Sequence, residues 1–335
     1  MMSDFAVLIV VVLTAVASLI LCGGYLLLAR QLQILDQPNE RSSHHRPTPH
    51  GGGMALMLAL LIGAGVLHKL FEPWAAHYLL LFGLAAILVV LGAIDDLKGL
   101  PVGFRFLIYG LVAGGFAGWM LHSRGELLSP TGMLLFCGIA LASLWHMNLF
   151  NFMDGIDGIA ATQAICVSAG ASLLVWLGND SGQYLLLCLL VAASHMGFLY
   201  WNWQPARLFM GDAGSIATGF MLAALAVVAM AEDVLPLACW LILSATFITD
   251  ATWTLLWRIS TGQPFTTPHR LHAYQRLSRH WRSHRRVVAM LLGVNLLWLL
   301  PLALAATVWP YSNSLLVILA YLPLLVGMAK VVKLA

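Results

Sequence analysis

Apolar segments of about twenty residues recur along the whole chain of 335 residues. A helix needs about that many apolar residues to cross a hydrocarbon core of roughly 30 Å. Hydropathy predicts about eleven such spans, at 5–28, 51–68, 77–94, 104–121, 131–148, 158–177, 183–201, 213–231, 234–256, 287–307 and 312–330. The sequence therefore predicts an all-α polytopic membrane protein, with residues 1–335 forming one transmembrane domain.

The composition excludes several other classes of protein. Hydrophobic residues make up 61% of the chain and charged residues 9%, whereas soluble domains carry about 25% charged residues. A disordered chain would have low hydrophobicity. The net charge is only +3, so we expect no nucleic-acid partner. The five cysteines lie singly in apolar stretches, which indicates buried thiols rather than disulfides or a metal site.

The basic residues indicate how the chain crosses the membrane. When the loops are assigned alternately to the two sides, fifteen Lys and Arg residues fall on one side and two on the other. The positive-inside rule makes the first side cytoplasmic, so we expect the N-terminus outside and the C-terminus inside. The first apolar run is too long for a signal peptide, and we interpret it as a retained helix.

Acidic residues gather at the ends of the spans on the cytoplasmic side. They are Asp95 and Asp96 after the third span, Asp154 and Asp157 at the sixth, Asp212 at the eighth and Asp250 in the ninth. An acid at a helix centre in the bilayer costs roughly 2.5–3.5 kcal/mol. A single Asp of this kind is explained as a helix cap or a solvated helix end. Four acidic groups at one depth favour a divalent cation or a protonated partner.

Neighbouring residues favour phosphate chemistry at this face. Mg²⁺ binds one or two carboxylates together with phosphate oxygens. Asp154 and Asp157 are three residues apart and would share one face of a helix, and Asn148 and Asn151 repeat that spacing.

Two further motifs are less specific. Three glycines at 51–53, after His44, His45 and Arg46, are typical of an anion site at a helix N-terminus. His269 and His272 lack a nearby third ligand, so we expect no zinc there.

Five motifs in this order carry a family resemblance: DQPNERSSHHRPTPHGGG, AIDDL, NLFNFMDGIDGIA, WNWQPARLFMGDAGS and PHRLHAYQR. The chain resembles the polyprenyl-phosphate N-acetylhexosamine-1-phosphate transferase superfamily, which is glycosyltransferase family 4. It is most similar to the branch that initiates O-antigen and other lipopolysaccharide chains, because of RSSHHRPTPHGGG and HAYQR.

The resemblance implies a reaction in which undecaprenyl phosphate attacks a UDP-N-acetylhexosamine. The products are undecaprenyl-diphosphate-sugar and UMP, and the cofactor is Mg²⁺, with Mn²⁺ as an alternative. It also implies a multi-pass protein of the bacterial inner membrane whose active site faces the cytoplasm. The lipid bilayer is then a partner, and a homodimer is compatible with the resemblance.

The resemblance also implies roles for individual residues. Catalysis falls to Asp95, Asp96 and His272, and metal binding to Asp212 and Asp154. The substrate-binding residues implied are His44, His45, Arg46, Asn148, Asn151, Asp154, Asp157, Asn202, His269 and Arg270. The active-site loops are then at about 29–50, 95–103, 149–157, 202–212 and 258–286. We expect segment 266–276 to contribute to recognition of the sugar.

The sequence departs from the family pattern in two places. The peptidoglycan-precursor translocase has consecutive histidines where this chain has HRLHAY, so either His269 or His272 is the equivalent residue. Relatives often have Lys near His44, and a neutral imidazole is a weaker fixed charge at pH 7.

Three alternatives stay open at this point. Within the enzymes, the donor is either a UDP-N-acetylhexosamine or UDP-muramoyl-pentapeptide. A secondary transporter of an anionic solute is less favoured, because transporters place ionisable groups near the bilayer midplane.

For the chemistry, direct attack is favoured over a covalent aspartyl intermediate. A lipid phosphate with a second pKa near 6 is mostly ionised at pH 7 and needs little help from a base. Asp95 or Asp96 would then orient the lipid phosphate.

Overall fold

The computed structural model describes residues 4–37, 46–178, 182–264 and 269–332. Its helices are α1 (Asp4–Gln31), α2 (Gly53–Leu70), α3 (Ala76–Lys98), α4 (Val102–Ser123), α5 (Pro130–Met153), α6 (Ile159–Leu177), α7 (Gln183–Asn202), α8 (Asp212–Ala231), α9 (Leu237–Leu243), α10 (Ala245–Ser260), α11 (Ala273–Trp281), α12 (His284–Val294), α13 (Leu300–Val308) and α14 (Asn313–Val331). A π-helical turn, Asn295–Leu299, joins α12 to α13. Two short strands, β1 (Leu35–Asp36) and β2 (Thr48–Pro49), pair antiparallel.

The helices confirm the prediction of an all-α polytopic membrane protein. In the described part of the chain, 10 helices are long and apolar enough to cross a membrane, counting α12 and α13 as one. The pair α9 and α10 would make an eleventh, but it is bent by 71°. The span predicted at 234–256 is therefore a broken helix rather than a straight one.

A buried polar network holds this break. The side-chain amide of Gln163 donates to the carbonyl of Leu243 at 3.1 Å, at the end of α9. The Gln163 carbonyl oxygen accepts from Thr246 at 3.1 Å and from Asn295 at 2.9 Å. Lipid offers no hydrogen bonds to a broken helix, so these side chains satisfy groups that the bend exposes.

Helix α8 lies at the centre of the molecule and packs between α3 and α5. Glycines allow neighbouring helices to approach its first turn closely. A side chain at Gly92 of α3 would overlap the backbone of Ala213, and one at Gly53 of α2 would overlap the backbone of Gly214. This close packing brings the last turn of α3 against the first turn of α8.

Candidate active site

The end of α3, the end of α5 and the start of α8 meet at one face of the molecule. Their side chains form a group that we call the acid cluster, defined as Asp95, Asp96, Asp154 and Asp212 together with Arg105 from the start of α4. The four acids are residues for which the family resemblance implies catalysis or metal binding. Whether they have those roles stays a prediction, but the structure brings them together.

Asp96 caps helix α8. One carboxylate oxygen accepts the backbone N–H of Asp212 at 3.0 Å, and the other accepts that of Ala213 at 3.3 Å. The first N–H groups of a helix have no partner within it, and a carboxylate there also complements the helix dipole. Because Asp96 is the cap, the Asp212 carboxylate does not serve as one.

The Asp212 carboxylate points into the cluster. Its Oδ1 accepts from the Asn151 side-chain amide at 3.0 Å, and its Oδ2 lies 3.2 Å from Nη1 of Arg105. The same Nη1 donates to Asp95, which also accepts the backbone N–H of Leu100 at 2.6 Å. Arg105 therefore bridges two of the acids.

Arg105 was not among the residues named from the sequence. It was counted only as a positive charge of the cytoplasmic side. The available signal was its place at the start of an apolar span, ten residues after Asp95. A charge that enters hydrocarbon is expected to have a partner.

Asp154 differs from the other acids because no donor among the described residues bonds its carboxylate. Burial raises its pKa well above the ordinary value, and the charges of Asp212, Asp96 and Asp157 raise it further. A carboxylate in this setting gains most from a nearby cation. Its backbone N–H donates to the carbonyl of Asn151 at 3.1 Å, where α5 ends.

The expectation that Asp154 and Asp157 share a helical face is wrong. Helix α5 ends at Met153 and α6 begins at Ile159, so both acids lie in the connecting turn. The carboxylate of Asp157 accepts the backbone N–H of Ala206 at 3.1 Å and lies 3.3 Å from His284 Nδ1. It ties this turn to two other loops.

The acid cluster fits Mg²⁺ that is shared with a phosphorylated substrate. Among the residues that the structure describes, no three His, Cys, Asp or Glu side chains are placed to hold a metal by themselves. Mg²⁺ does not need such a cage, since it commonly takes one or two carboxylates and completes its shell with phosphates and water. The unbonded carboxylate of Asp154 and the partly exposed one of Asp212 supply that donor set.

A second group surrounds the two histidines. Asp250 of α10 accepts the backbone N–H groups of Ala273 and Tyr274, at 2.9 and 3.0 Å, and so caps α11. The same carboxylate lies 3.1 Å from Nδ1 of His272, whose side chain is buried. The Tyr274 hydroxyl donates to the carbonyl of Phe152 at 2.9 Å, which attaches α11 to the end of α5. Asp250 thus positions His272 beside the acid cluster.

The ring of His269 packs against that of His272, with 4.9 Å between the ring centres and 36° between the ring planes. The pKa of His269 is lowered to about 4, mainly by burial and also by the neighbouring His272 and Arg258, against the opposing charge of Asp250. His269 is therefore neutral at pH 7. Its Nδ1 accepts the backbone N–H of Leu271 at 3.3 Å.

A cavity of about 870 Å³ opens next to the loops that lead to the acid cluster: its lining includes Asp157 and Phe209, which are three residues from Asp154 and Asp212, but none of the acid-cluster residues themselves. Four arginines line it: Arg46, Arg270, Arg279 and Arg282. Phe209 and Asp157 complete the part of the wall nearest to α8. Burial lowers the pKa of Arg279, and so do the charges of Arg276 and Arg270, which indicates a strongly positive wall.

Two of the predicted substrate-binding residues are buried and bond to the backbone, and their role towards substrate stays a prediction. Asn202 is buried, accepts the backbone N–H of Gly158 at 3.0 Å and donates to the carbonyl of Leu208 at 3.0 Å. Asn148 is also buried and donates to Leu144 of its own helix at 2.7 Å. Asn202 joins the turn after α5 to the loop before α8, so it shapes the site without facing it.

The glycine run does not form the predicted anion site. The backbone N–H groups of Gly52 and Gly53 donate to the carbonyls of Phe209 and Met210, both at 2.9 Å. The run therefore fixes the loop before α8. Arg46, which was predicted to take part in this anion site together with His44 and His45, lines the cavity. His44 and His45 lie outside the described residues. The same is true of residues 266–268, the first part of the segment expected to recognise the sugar.

Comparisons with known proteins identify the family of this chain. The family model described as glycosyl transferase family 4 matches residues 78–230, which contain all five residues of the acid cluster. A probable undecaprenyl-phosphate N-acetylglucosaminyl 1-phosphate transferase of Bacillus subtilis is 29% identical over 301 residues, covering 84% of this chain and 80% of its own.

Two mycobacterial relatives extend this result. A decaprenyl-phosphate N-acetylglucosaminephosphotransferase of Mycobacterium tuberculosis is 30% identical over 305 residues, covering 80% of this chain and 75% of its own. A phospho-N-acetylmuramoyl-pentapeptide-transferase of a Mycobacterium species is 30% identical over 260 residues, covering 63% and 70%. The chain belongs to glycosyl transferase family 4, the superfamily of polyprenyl-phosphate N-acetylhexosamine-1-phosphate transferases.

Proposed function

We propose that this protein transfers N-acetylhexosamine 1-phosphate from a UDP-sugar to undecaprenyl phosphate, releasing UMP, as the first step in O-antigen or a related surface glycan. The observation that carries the proposal is the Asp212 carboxylate. Asp212 is the first residue of α8, the most buried of the described spanning helices. Because Asp96 caps this helix, the Asp212 carboxylate is not needed as a cap. It lies with Asp154 at the face where we place the phosphates. The relatives named above act on polyprenyl phosphates, which supports the same acceptor here.

The cavity suits the donor. Guanidinium groups bind phosphates through paired hydrogen bonds, and Arg46, Arg270, Arg279 and Arg282 offer four of them around about 870 Å³. Phe209 adds an aromatic face to the same wall. A nucleoside diphosphate has both an anionic and a flat aromatic part, so this lining suits the UDP portion of the donor.

Asp212 and Asp154 are the residues that would hold Mg²⁺. When bound, the ion would neutralise diphosphate charge and stabilise the negative charge that develops on the departing UMP. Arg105 supplies a fixed positive charge between Asp95 and Asp212. The main barrier is the approach of two anions, and these positive charges reduce their repulsion.

The transfer itself needs no covalent intermediate with the protein. An oxygen of the lipid phosphate forms a bond to the sugar-bearing phosphorus, and the bond from that phosphorus to the UMP oxygen breaks with its electron pair. The lipid phosphate is already mostly ionised at pH 7, so no strong base is required. We infer that Asp95 orients the entering phosphate through Arg105, whereas Asp96 acts by fixing α8.

The donor is the main point on which the alternatives differ. The motif RSSHHRPTPHGGG favours the O-antigen branch, whereas one relative is named for transfer of phospho-N-acetylmuramoyl-pentapeptide. The clustering of the acids at one membrane face, rather than at the midplane, argues against an anion transporter.

We further propose that this face is cytoplasmic, in the bacterial inner membrane, because fifteen of the seventeen basic residues fall on its side.

A donor panel tests the proposal. Purified protein with undecaprenyl phosphate and Mg²⁺ is given UDP-N-acetylglucosamine, -galactosamine, -fucosamine, -quinovosamine or UDP-muramoyl-pentapeptide. UMP is measured by chromatography and the lipid product by mass spectrometry, with Asp212→Asn as the control. We expect UMP and undecaprenyl-diphosphate-sugar in equal amounts from one hexosamine donor. Turnover of the pentapeptide donor alone would establish the alternative reaction, and no turnover of any donor would contradict the proposal.

A further inference from the structure

A second groove lies at the same membrane face as the acid cluster, outside the donor cavity. It has a volume of about 630 Å³ and is lined by Met196, Leu199, Tyr200, Trp203, Pro205 and Arg207, with Gln204. Gln204 and Pro205 also line the donor cavity, so the two spaces lie on either side of this segment. We call the second space the α7 groove. Nothing in the proposed reaction uses it.

The deep part of the groove is apolar and faces outward from the helix bundle. Met196, Leu199, Tyr200 and Trp203 follow the spacing of one helical face at the end of α7. Met196 is 49% exposed and Tyr200 57%, so this face is not covered by the rest of the chain. Met196 lies six residues before the end of α7 at Asn202, or ~9 Å along the helix axis, so its side chain lies below the membrane face, at the depth of the acyl chains.

The shallow end of the groove carries a positive charge. The Arg207 guanidinium lies 4.9 Å from the ring centre of Tyr200 and 4.5 Å from that of Trp201. Trp201 is itself fixed, because its indole N–H donates to the carbonyl of Leu19 at 2.8 Å. A cation over aromatic faces is attracted to them and loses side-chain freedom before any ligand arrives.

No carboxylate pairs with Arg207 among the described residues. Its hydrogen bond to the protein goes to the carbonyl of Tyr200, at 3.4 Å. The loop that carries it leads to Asp212, so it stands at the membrane face where lipid headgroups lie. The groove therefore combines an apolar channel in the hydrocarbon with an unneutralised, oriented cation at the headgroup level.

We propose that the α7 groove is a binding site for an anionic glycerophospholipid of the surrounding leaflet, whose phosphate contacts Arg207 and whose acyl chain lies along Met196 and Leu199. The site differs from that of the reacting lipid, whose phosphate we place at Arg105, because the groove is lined by no residue of the acid cluster. A bound lipid would stabilise the end of α7, which carries Asn202, and the loop from there to Asp212. The assignment does not depend on the proposed reaction.

Lipid binding to the purified full-length protein tests the assignment. Native mass spectrometry in detergent would follow titration with dioleoyl phosphatidylglycerol or dioleoyl phosphatidylcholine. One basic residue near a membrane surface contributes enough to change affinity about fivefold. We expect Arg207→Gln to weaken phosphatidylglycerol binding by about fivefold and to leave phosphatidylcholine binding unchanged. Arg207→Lys, which keeps the charge but not the flat stacking group, should fall between the two.

Two further variants separate a built site from general attraction. Arg30→Gln removes an exposed arginine at the end of α1 that does not line the groove, and should keep wild-type binding. Met196→Trp fills the half-exposed channel without changing charge, and should weaken phosphatidylglycerol binding as much as Arg207→Gln. Thermal melting in detergent without lipid would show whether each variant is folded.

Three results would overturn the assignment. Equal losses in Arg207→Gln and Arg30→Gln would mean that only diffuse charge attracts the lipid. Wild-type binding by a folded Met196→Trp would mean that no chain occupies the groove. Displacement of phosphatidylglycerol by undecaprenyl phosphate, abolished by Arg207→Gln, would mean that the groove holds the acceptor instead.

Discussion

The Asp96 carboxylate accepts the backbone N–H of Asp212 at 3.0 Å, so the end of α3 determines where α8 begins. The two adjacent aspartates of α3 therefore have different contacts. Asp95 holds Arg105, whereas Asp96 holds the backbone of the residue that we place at the phosphates. Two adjacent acids of one sequence motif therefore bond to different parts of the site in the structure.

Asp96→Asn tests this division. An amide can accept from only one of the two backbone N–H groups and presents its own N–H to the other. An unsatisfied buried donor costs about 1–3 kcal/mol, so we expect a lower melting temperature together with a large loss of transfer activity. Asp233→Asn is the matched control, because it removes an exposed acid from the turn at the other end of α8. Wild-type melting and activity of Asp96→Asn would contradict the capping role.

The coupling between Asp250 and His272 gives a second prediction. If Asp250 acts through His272, Asp250→Asn should lower the transfer rate by at least about tenfold. The double variant Asp250→Asn/His272→Gln should then be no slower than His272→Gln alone. The measurement is a double-mutant cycle on kcat, with folding checked by melting. If the double variant were slowed by the product of the two single-variant factors, the 3.1 Å contact between Asp250 and His272 would have no role in the reaction.

His269 should make the protein less stable in acid. Its pKa is about 4 in the folded protein, below the value of about 6.5 for an unfolded chain. As pH falls below 6.5, the unfolded state binds the proton first, so stability decreases between pH 6.5 and 4. The ring is partly exposed, and after allowance for solvent screening we expect a loss of about 1 kcal/mol at pH 5.

The check is melting at pH 7.5 and pH 5. His269→Gln should lose less stability than the wild type over this interval, whereas His280→Gln, at an exposed histidine of α11, should behave like the wild type. An unchanged pH dependence in His269→Gln would contradict the prediction.

The break between α9 and α10 should depend on Gln163. Gln163→Met keeps the shape but leaves the carbonyl of Leu243 and the amide of Asn295 without this partner. We expect a loss of about 1–3 kcal/mol for the unsatisfied groups. Since α10 carries Asp250, kcat should fall as well, and Gln163→Glu should retain more activity than Gln163→Met because it still accepts from Asn295 and Thr246. A folded Gln163→Met with wild-type stability and kcat would show that the network does not hold the bend.

The sequence was sufficient for the spans because burial in lipid depends on composition along the chain. The predicted limits 77–94 and 183–201 fall within a few residues of α3 and α7. The break after Leu243 could not be predicted, because its stabilising amide comes from Gln163, 80 residues earlier.

Contacts between distant parts of the chain also limit what the sequence predicts about the site. The acids could be placed at one membrane face from loop assignment alone, and the structure brings Asp95, Asp96, Asp154 and Asp212 together. The outward or inward direction of a polar side chain could not be predicted. Asn202 was assigned to substrate but satisfies two backbone groups, and Arg105 was assigned to topology but bridges two acids. Such contacts depend on how the loops fold against one another.

In the proposed reaction, the Asp212 carboxylate helps to stabilise the charge of the reacting phosphates by holding Mg²⁺. Asp212→Asn keeps the volume of the side chain and, since Asp96 caps α8, leaves the helix start intact. The decisive measurement is the turnover of Asp212→Asn at saturating Mg²⁺, in protein shown by melting to be folded. We predict a loss on the order of a thousandfold, because the transition state loses several kcal/mol of charge stabilisation. A folded variant within about tenfold of the wild-type rate would contradict the account.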